Sequence, residues 1–223
     1  MIPDGFVLCG GRSRRMGSDK ARAPVGQPPV PMAIAVATTL RGLGGRGALV
    51  RRGDDGLPWR WADGSAVEVV PELDGPEVHP LFGVATALRA ARTPLAAVAP
   101  CDVPDLTVEA WAALVARAPA VAWDGERVHP LVAVLAASDA DRAQQLALAG
   151  APARALTADL PRVALPPATL VDRDDPASLG RGPVARLLAR VPVRDPAQRR
   201  RLAAGERARL RASGILDPGG DEG

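Results

Sequence analysis

What most restricts the fold is a rhythm in which short apolar runs, each broken by glycine, proline or aspartate, alternate with segments of helical period. Residues 5–8 (GFVL) stop at Cys-Gly-Gly and read as a buried first strand entering a loop. After Pro31 the run MAIAVATTLRGL has helical period and is closed by Gly44-Gly45. Residues 48–50 and 66–70 read as strands, and Pro80-Leu81 opens a helix that Thr93-Pro94 stops. Residues 95–99 form another buried strand ending at Pro100-Cys101-Asp102, and Thr107 caps a helix running to about residue 118. Two apolar segments, 120–123 and 128–135, flank Asp124-Gly125-Glu126-Arg127, which is a hairpin signal. A helix-rich stretch covers 138–158, short strands are expected at 163–165 and 169–172, and Asp175-Pro176 opens a last helix ending near residue 190. Alternating strands and helices with one inserted hairpin imply an α/β domain of three layers around a mostly parallel sheet. In such sheets ligands bind beyond the carboxyl ends of the strands.

Charge is unevenly spread. Residues 181–211 carry a net +8, residues 212–223 carry −3, and residues 1–180 carry −2. A nucleic-acid binder should hold its positive charge on the folded body, so nucleic acid is not an expected partner. Residues 1–191 read as one domain and 192–223 as an arginine-rich extension, partly helical or disordered. Two readings of that extension stand: a solvated tail, or a docking segment for an acidic protein partner. No run of about 18 apolar residues is present, so no membrane association is expected. The opening MIPDGFVLCGG lacks a basic stretch ahead of an apolar core, and there are only two cysteines, so a cytoplasmic chain is expected.

The chain contains 27 arginines and a single lysine, Lys20, which ends the glycine-rich loop LCGGRSRRMGSDK. A compact ammonium is not interchangeable with a planar guanidinium where one phosphate oxygen must be reached. Gly10 and Gly11 let backbone amides approach an anion, and Arg12, Arg14, Arg15 and Lys20 supply positive charge. The loop has neither the Gly-Lys-Ser/Thr of a Walker A motif nor the glycine spacing of the dinucleotide fingerprint. Asp102, between prolines at the end of a buried strand, reads either as a turn former or as a metal carboxylate opposite the phosphate loop.

That loop resembles the leading motif L-A-G-G-x-S-x-R-M-G-x-D-K of the molybdenum cofactor guanylyltransferases, with Cys9 as the one departure. The resemblance implies a Rossmann-like nucleotidyltransferase fold in which Leu8, Cys9, Gly10 and Gly11 contact the nucleotide. Arg15 and Gly17 would shape the loop, and Lys20 would meet the phosphates. Related cytidylyltransferases usually carry Ala-Ala-Gly here, so the Gly10-Gly11 pair favours guanine. Pro100-Cys101-Asp102-Val103-Pro104 resembles the family's metal motif, making Asp102 the Mg²⁺ ligand and, with Lys20 and Arg15, part of the catalytic set. Glu72, eight residues before Pro80, stands where the family commonly has an aspartate near the guanine, whose N1–H and amino group a carboxylate can accept.

Three further stretches extend the resemblance across residues 5–190. His79-Pro80-Leu81-Phe82-Gly83 resembles G-P-L-x-G with His79 in place of glycine. Asp124-Gly125-Glu126-Arg127-Val128-His129-Pro130 resembles a hairpin on the pterin side, which implies a substrate role for His129. Val171-Asp172-Arg173-Asp174-Asp175-Pro176 resembles N-x-N-T-P, with aspartates Asp172 and Asp174 replacing both asparagines and adding negative charge on the substrate side. The family reaction moves GMP from GTP to the phosphate of molybdopterin, with Mg²⁺ as cofactor and pyrophosphate as product. Alternatives are a cytidylyl- or guanylyltransferase for another phosphorylated cofactor precursor, or a non-catalytic nucleotide-binding partner in cofactor assembly. Cys9 and Cys101 follow strands expected to be neighbours, and read either as small apolar residues or as a pair that oxidation links.

Overall fold

A computed structural model of the chain describes residues 1–10, 19–26, 28–53 and 58–173. Its sheet grows from β1 (Asp4–Leu8), buried along its whole length. Beside it lie β4 (Gly47–Arg51) and β6 (Leu95–Pro100), both parallel to it, and β5 (Glu68–Pro71) pairs in parallel with β4. On the other side of β6 the direction reverses. There β8 (Val128–Ala136) pairs antiparallel with β6 and with β7 (Ala120–Trp123), and β9 (Arg162–Ala164) closes the edge parallel to β7. The order β5-β4-β1-β6-β8-β7-β9 is thus mostly parallel, with the hairpin inserted as the sequence predicts.

Alternation along the strands explains the three layers, because successive side chains of a strand point to opposite faces. Val7, Leu49, Ala97, Ala99, Val132 and Val134 pack on one face with α1 (Met32–Arg41) and α3 (Val108–Val115). Phe6, Leu8, Val50, Val98, Ala133 and Leu135 pack on the other with α2 (Pro80–Ala90) and α4 (Ala140–Leu148). Both faces being covered, the central strands read as unbroken apolar runs rather than as alternating ones. Trp111 of α3 is fully buried, and its indole N–H donates to Thr39 Oγ1 of α1 at 3.3 Å, which fixes the two helices to each other. Truncating such a residue to alanine typically costs about 3–5 kcal/mol.

Local signals placed the helix starts well. Thr107 accepts from the Ala110 amide, as a cap does, although α3 ends at Val115 rather than near residue 118. His79 also caps: its Nδ1 accepts from the Leu81 amide at 3.2 Å, which gives the histidine in place of glycine a structural task. One expected strand is corrected. Pro166-Pro167 set a 3₁₀ turn over Pro167–Thr169, and residues 170–173 continue as irregular chain. A small antiparallel pair, β2 (Pro24–Val25) with β3 (Val30–Pro31), escapes sequence reading because its prolines argue against strands.

Candidate functional site

The parallel strands deliver their carboxyl ends side by side. The Cys9 amide donates to Val50 O at 2.8 Å, Cys101 N to Leu8 O at 3.1 Å, and Glu72 N to Arg51 O at 2.7 Å, so four strand ends form one rim. Glu72 leans over Gly10: a Cβ there would collide with its Oε2, and a Cβ at Gly83 would come within 3.5 Å of the same atom. Glycine at position 10 thus lets the Glu72 carboxylate lie directly against the backbone, and a side chain there would push that carboxylate aside. Burial raises the Glu72 carboxyl above the ordinary range, with Arg52 opposing and Asp74 adding to the shift. The register Leu8↔Pro100 sets Cys9 beside Cys101. Its hydrogen bond to that thiol, then burial, hold Cys9 well above its ordinary pKa, which opposes thiolate chemistry there.

Lys20 begins a 3₁₀ turn, Lys20–Arg22, that Asp19 caps through the Ala21 amide. The other Asp19 oxygen accepts from Arg51 at 2.8 Å, and Arg51 is packed 5.0 Å from the centre of the Trp59 ring, with Arg22 at 3.9 Å. This arrangement aims Lys20 at Asp102, whose Oδ2 accepts from Nζ at 2.9 Å. Asp102 Oδ1 is buried and has no hydrogen-bond partner among the described residues. A buried carboxylate oxygen left unpaired is costly, and a cation is the partner that suits it. No group of three or more His, Cys, Asp or Glu side chains arranged for a metal occurs among the described residues. Asp102 could hold a magnesium ion, which commonly takes one or two carboxylates together with phosphate oxygens and water. The donor set fits it.

Across β6 lies a cavity of about 300 Å³ lined by Asp102, Arg127, His129, Pro130, Leu131 and Asp172, among others. The hairpin turn that forms its wall needs Gly125, at φ +103°, a conformation that disfavours side chains. Past the turn the β7–β8 register shifts between Val121 and Ala122, so that Ala122 faces His129 while Val121 faces Ala133. Pro130, which has no amide to donate, falls in this irregularity, and the bend turns residues 129–131 toward the cavity. Asp124 accepts from the Arg127 and Glu126 amides and meets His129 Nε2 at 2.8 Å. The Arg127 amide, then His129, hold the Asp124 carboxyl far below its ordinary range. Arg127 reaches both Asp124, at 3.3 Å, and Asp172, at 4.0 Å, so the extra charge of Asp172 faces a guanidinium.

Of the residues singled out in the sequence, Leu8, Cys9, Gly10, Lys20, Glu72 and Asp102 thus meet along one rim, and His129 and Asp172 share the cavity with Asp102. Gly11, Arg15 and Asp174, with Arg12, Arg14 and Gly17, lie outside the described residues, as do the helix expected after Asp175 and the 192–223 extension. Sequence reading gave no role to Arg51, Asp105 or Arg173, and met Asp124 only as part of the hairpin turn and its motif, without a partner. Arg51 lies 32 residues from its partner Asp19, and Arg173 lies 68 from Asp105, distances at which no local pattern marks a pair. No helix among the described residues is long and apolar enough to cross a membrane.

A probable molybdenum cofactor guanylyltransferase from Haloferax mediterranei is 39% identical over 101 residues, covering 45% of this chain and 47% of that one. A molybdenum cofactor guanylyltransferase from Burkholderia vietnamiensis is 34% identical over 117 residues, covering 51% and 53%. The chain spans about half the length of these curated relatives. The crystal structure of molybdopterin-guanine dinucleotide biosynthesis protein A from Archaeoglobus fulgidus superposes with a TM-score of 0.62 at 20% identity, over 83% of this chain and 98% of that one, and shares the fold. Residues 5–164, which span the seven-stranded sheet from the second residue of β1 to the end of β9, match the MobA-like NTP transferase domain, and the chain belongs to that family.

Proposed function

We propose that this protein transfers GMP from GTP to the terminal phosphate of molybdopterin and releases pyrophosphate. The observation that carries this reading is the facing of Lys20 and Asp102 at the end of β6, with one Asp102 oxygen paired and the other buried without a partner. The names of the two curated relatives support the substrates. An acceptor phosphate oxygen attacks the α-phosphorus of GTP in line, forming a new P–O bond as the bond to the β-phosphate oxygen breaks. Lys20 leaves Asp102 for the triphosphate and offsets charge as it moves to the departing pyrophosphate. Mg²⁺ held by Asp102 would supply a Lewis acid for the same oxygens. Glu72, beside Gly10, accepts from the N1–H and amino group of guanine, and His129 with Arg127 holds the acceptor in the cavity across β6.

The test is incubation of the protein with molybdopterin, Mg²⁺ and each of GTP, CTP, ATP and UTP in turn, followed by mass analysis. The expected product is the guanine dinucleotide alone, with pyrophosphate in equal amount. A cytosine dinucleotide, or GTP bound with no pyrophosphate released, overturns the reading.

A further inference from the structure

The stretch 170–173 passes in front of the site without regular secondary structure, yet it carries Asp172 into the cavity wall. Its anchorage lies in one residue. The Arg173 amide donates to Asp102 O at 2.8 Å, while its Nε donates to Asp105 Oδ2 at 2.9 Å and a terminal nitrogen donates to the same oxygen. The Arg173 and Asp105 side chains are 6% and 5% exposed, so the pair is buried. Leu170, three residues earlier, is sunk in the core at 1% exposure and fixes the other end.

Arg173 therefore grips the loop after β6 at two points, Asp102 and Asp105, and Asp172 lies between the anchors of its own segment. A buried ion pair is poor evidence of stability, since desolvating two charges offsets most of their attraction. What such a pair does supply is a fixed geometry, because few other arrangements satisfy both partners. Here the geometry fixed is the separation between Asp102, on the nucleotide side, and Asp172, on the acceptor side.

We infer that Arg173 is a positioning residue, which locks the Asp172 segment to the Asp102 loop so that the acceptor wall and the metal carboxylate hold one spacing. The inference rests on the proposed transfer for its kinetic part only. The test uses the full chain with Arg173→Gln and Asp105→Asn together, a neutral pair that removes both charges of this ion pair at once, and Arg173→Lys alone. In the double variant, amide hydrogen exchange across 171–173 should quicken roughly tenfold, with β6 unchanged, and the KM for molybdopterin should rise roughly tenfold. The KM for GTP should stay within about twofold. Arg173→Lys, which keeps a cation against Asp105 but cannot send two donors from one plane, should shift both readouts in the same direction by less. Wild-type exchange across 171–173 in both variants, or KM values for GTP and acceptor that rise together, overturns the inference. If the unaltered protein transfers nothing to molybdopterin, the proposed function fails, and the exchange rates alone decide whether Arg173 positions the segment.

Discussion

The two halves of the site are built differently. The half proposed to take the nucleotide stands on the parallel strands β5, β4, β1 and β6, whose ends meet in register, and beside the Lys20–Asp102 pair it leaves polar demand unmet. Asp102 Oδ1 has no partner among the described residues, and the Glu72 carboxyl is raised by burial. The half proposed to take the acceptor stands on the antiparallel β7–β8 hairpin and the 170–173 stretch, and its charges face one another: His129 and Asp124, Arg127 with Asp124 and Asp172, Arg173 and Asp105. A half with unmet demand gains the most from a ligand, whereas a self-satisfied half gains less and chiefly selects.

That contrast is breakable by substitution. Lys20→Ala and Asp102→Asn should produce the largest losses, each lowering kcat/KM for GTP by about 10²–10³-fold with melting temperatures nearly unchanged. Either variant turning over near the normal rate in steady-state assays would dissolve the distinction.

Next in size is Asp124→Asn. It should raise the acceptor KM by about tenfold and leave GTP binding alone. It also carries a pH signature. The Asp124 carboxyl is depressed in the folded state, so its stabilisation is present above the unfolded aspartate range, near pH ~3.9, and is lost as pH falls toward the folded value. Melting temperatures of the protein and the variant should thus differ at pH 7 and converge below about pH 4. Parallel curves over that range would mean that Asp124 contributes no linked stability.

Glu72→Gln should have a smaller effect and the opposite sign. A raised carboxyl binds its proton more tightly when folded, so the protein loses stability as pH rises from the unfolded glutamate range through the raised value. The glutamine variant lacks that slope, and thermal melts should show it gaining on the protein as pH rises above the ordinary glutamate range. Its preference for GTP over CTP should fall by roughly five- to tenfold in competition binding. The smallest change is expected from Gly10→Ala. Its Cβ meets the far end of a flexible side chain, so the Glu72 carboxylate swings aside, and base preference weakens by about threefold with little loss of stability.

The uneven legibility of the sequence follows the same division. The strand ends, the Thr107 cap and the Asp124–Arg127 turn are decided by neighbours in the chain, so local pattern found them. The partnership of Asp19 with Arg51 and that of Asp105 with Arg173 are decided by where the sheet brings distant segments, and nothing near either arginine marks it. Residues 169–172 misled for a related reason: TLVD reads as extended, but the Pro166-Pro167 pair upstream had already committed the chain to a tight turn. His79 is the reverse case, a departure from the family pattern whose explanation is a cap two residues long.

The solitary lysine has a practical consequence. An endoprotease that cuts only after lysine has a single cleavage point in the whole chain, the bond from Lys20 to Ala21. Ala21 is buried at 1% exposure and the turn that carries it is capped by Asp19, so that bond is cut only when the segment opens. The appearance of one pair of fragments on a gel therefore clocks that opening directly. Slowing of the cut by added nucleoside triphosphates ranks them as ligands without any turnover being measured.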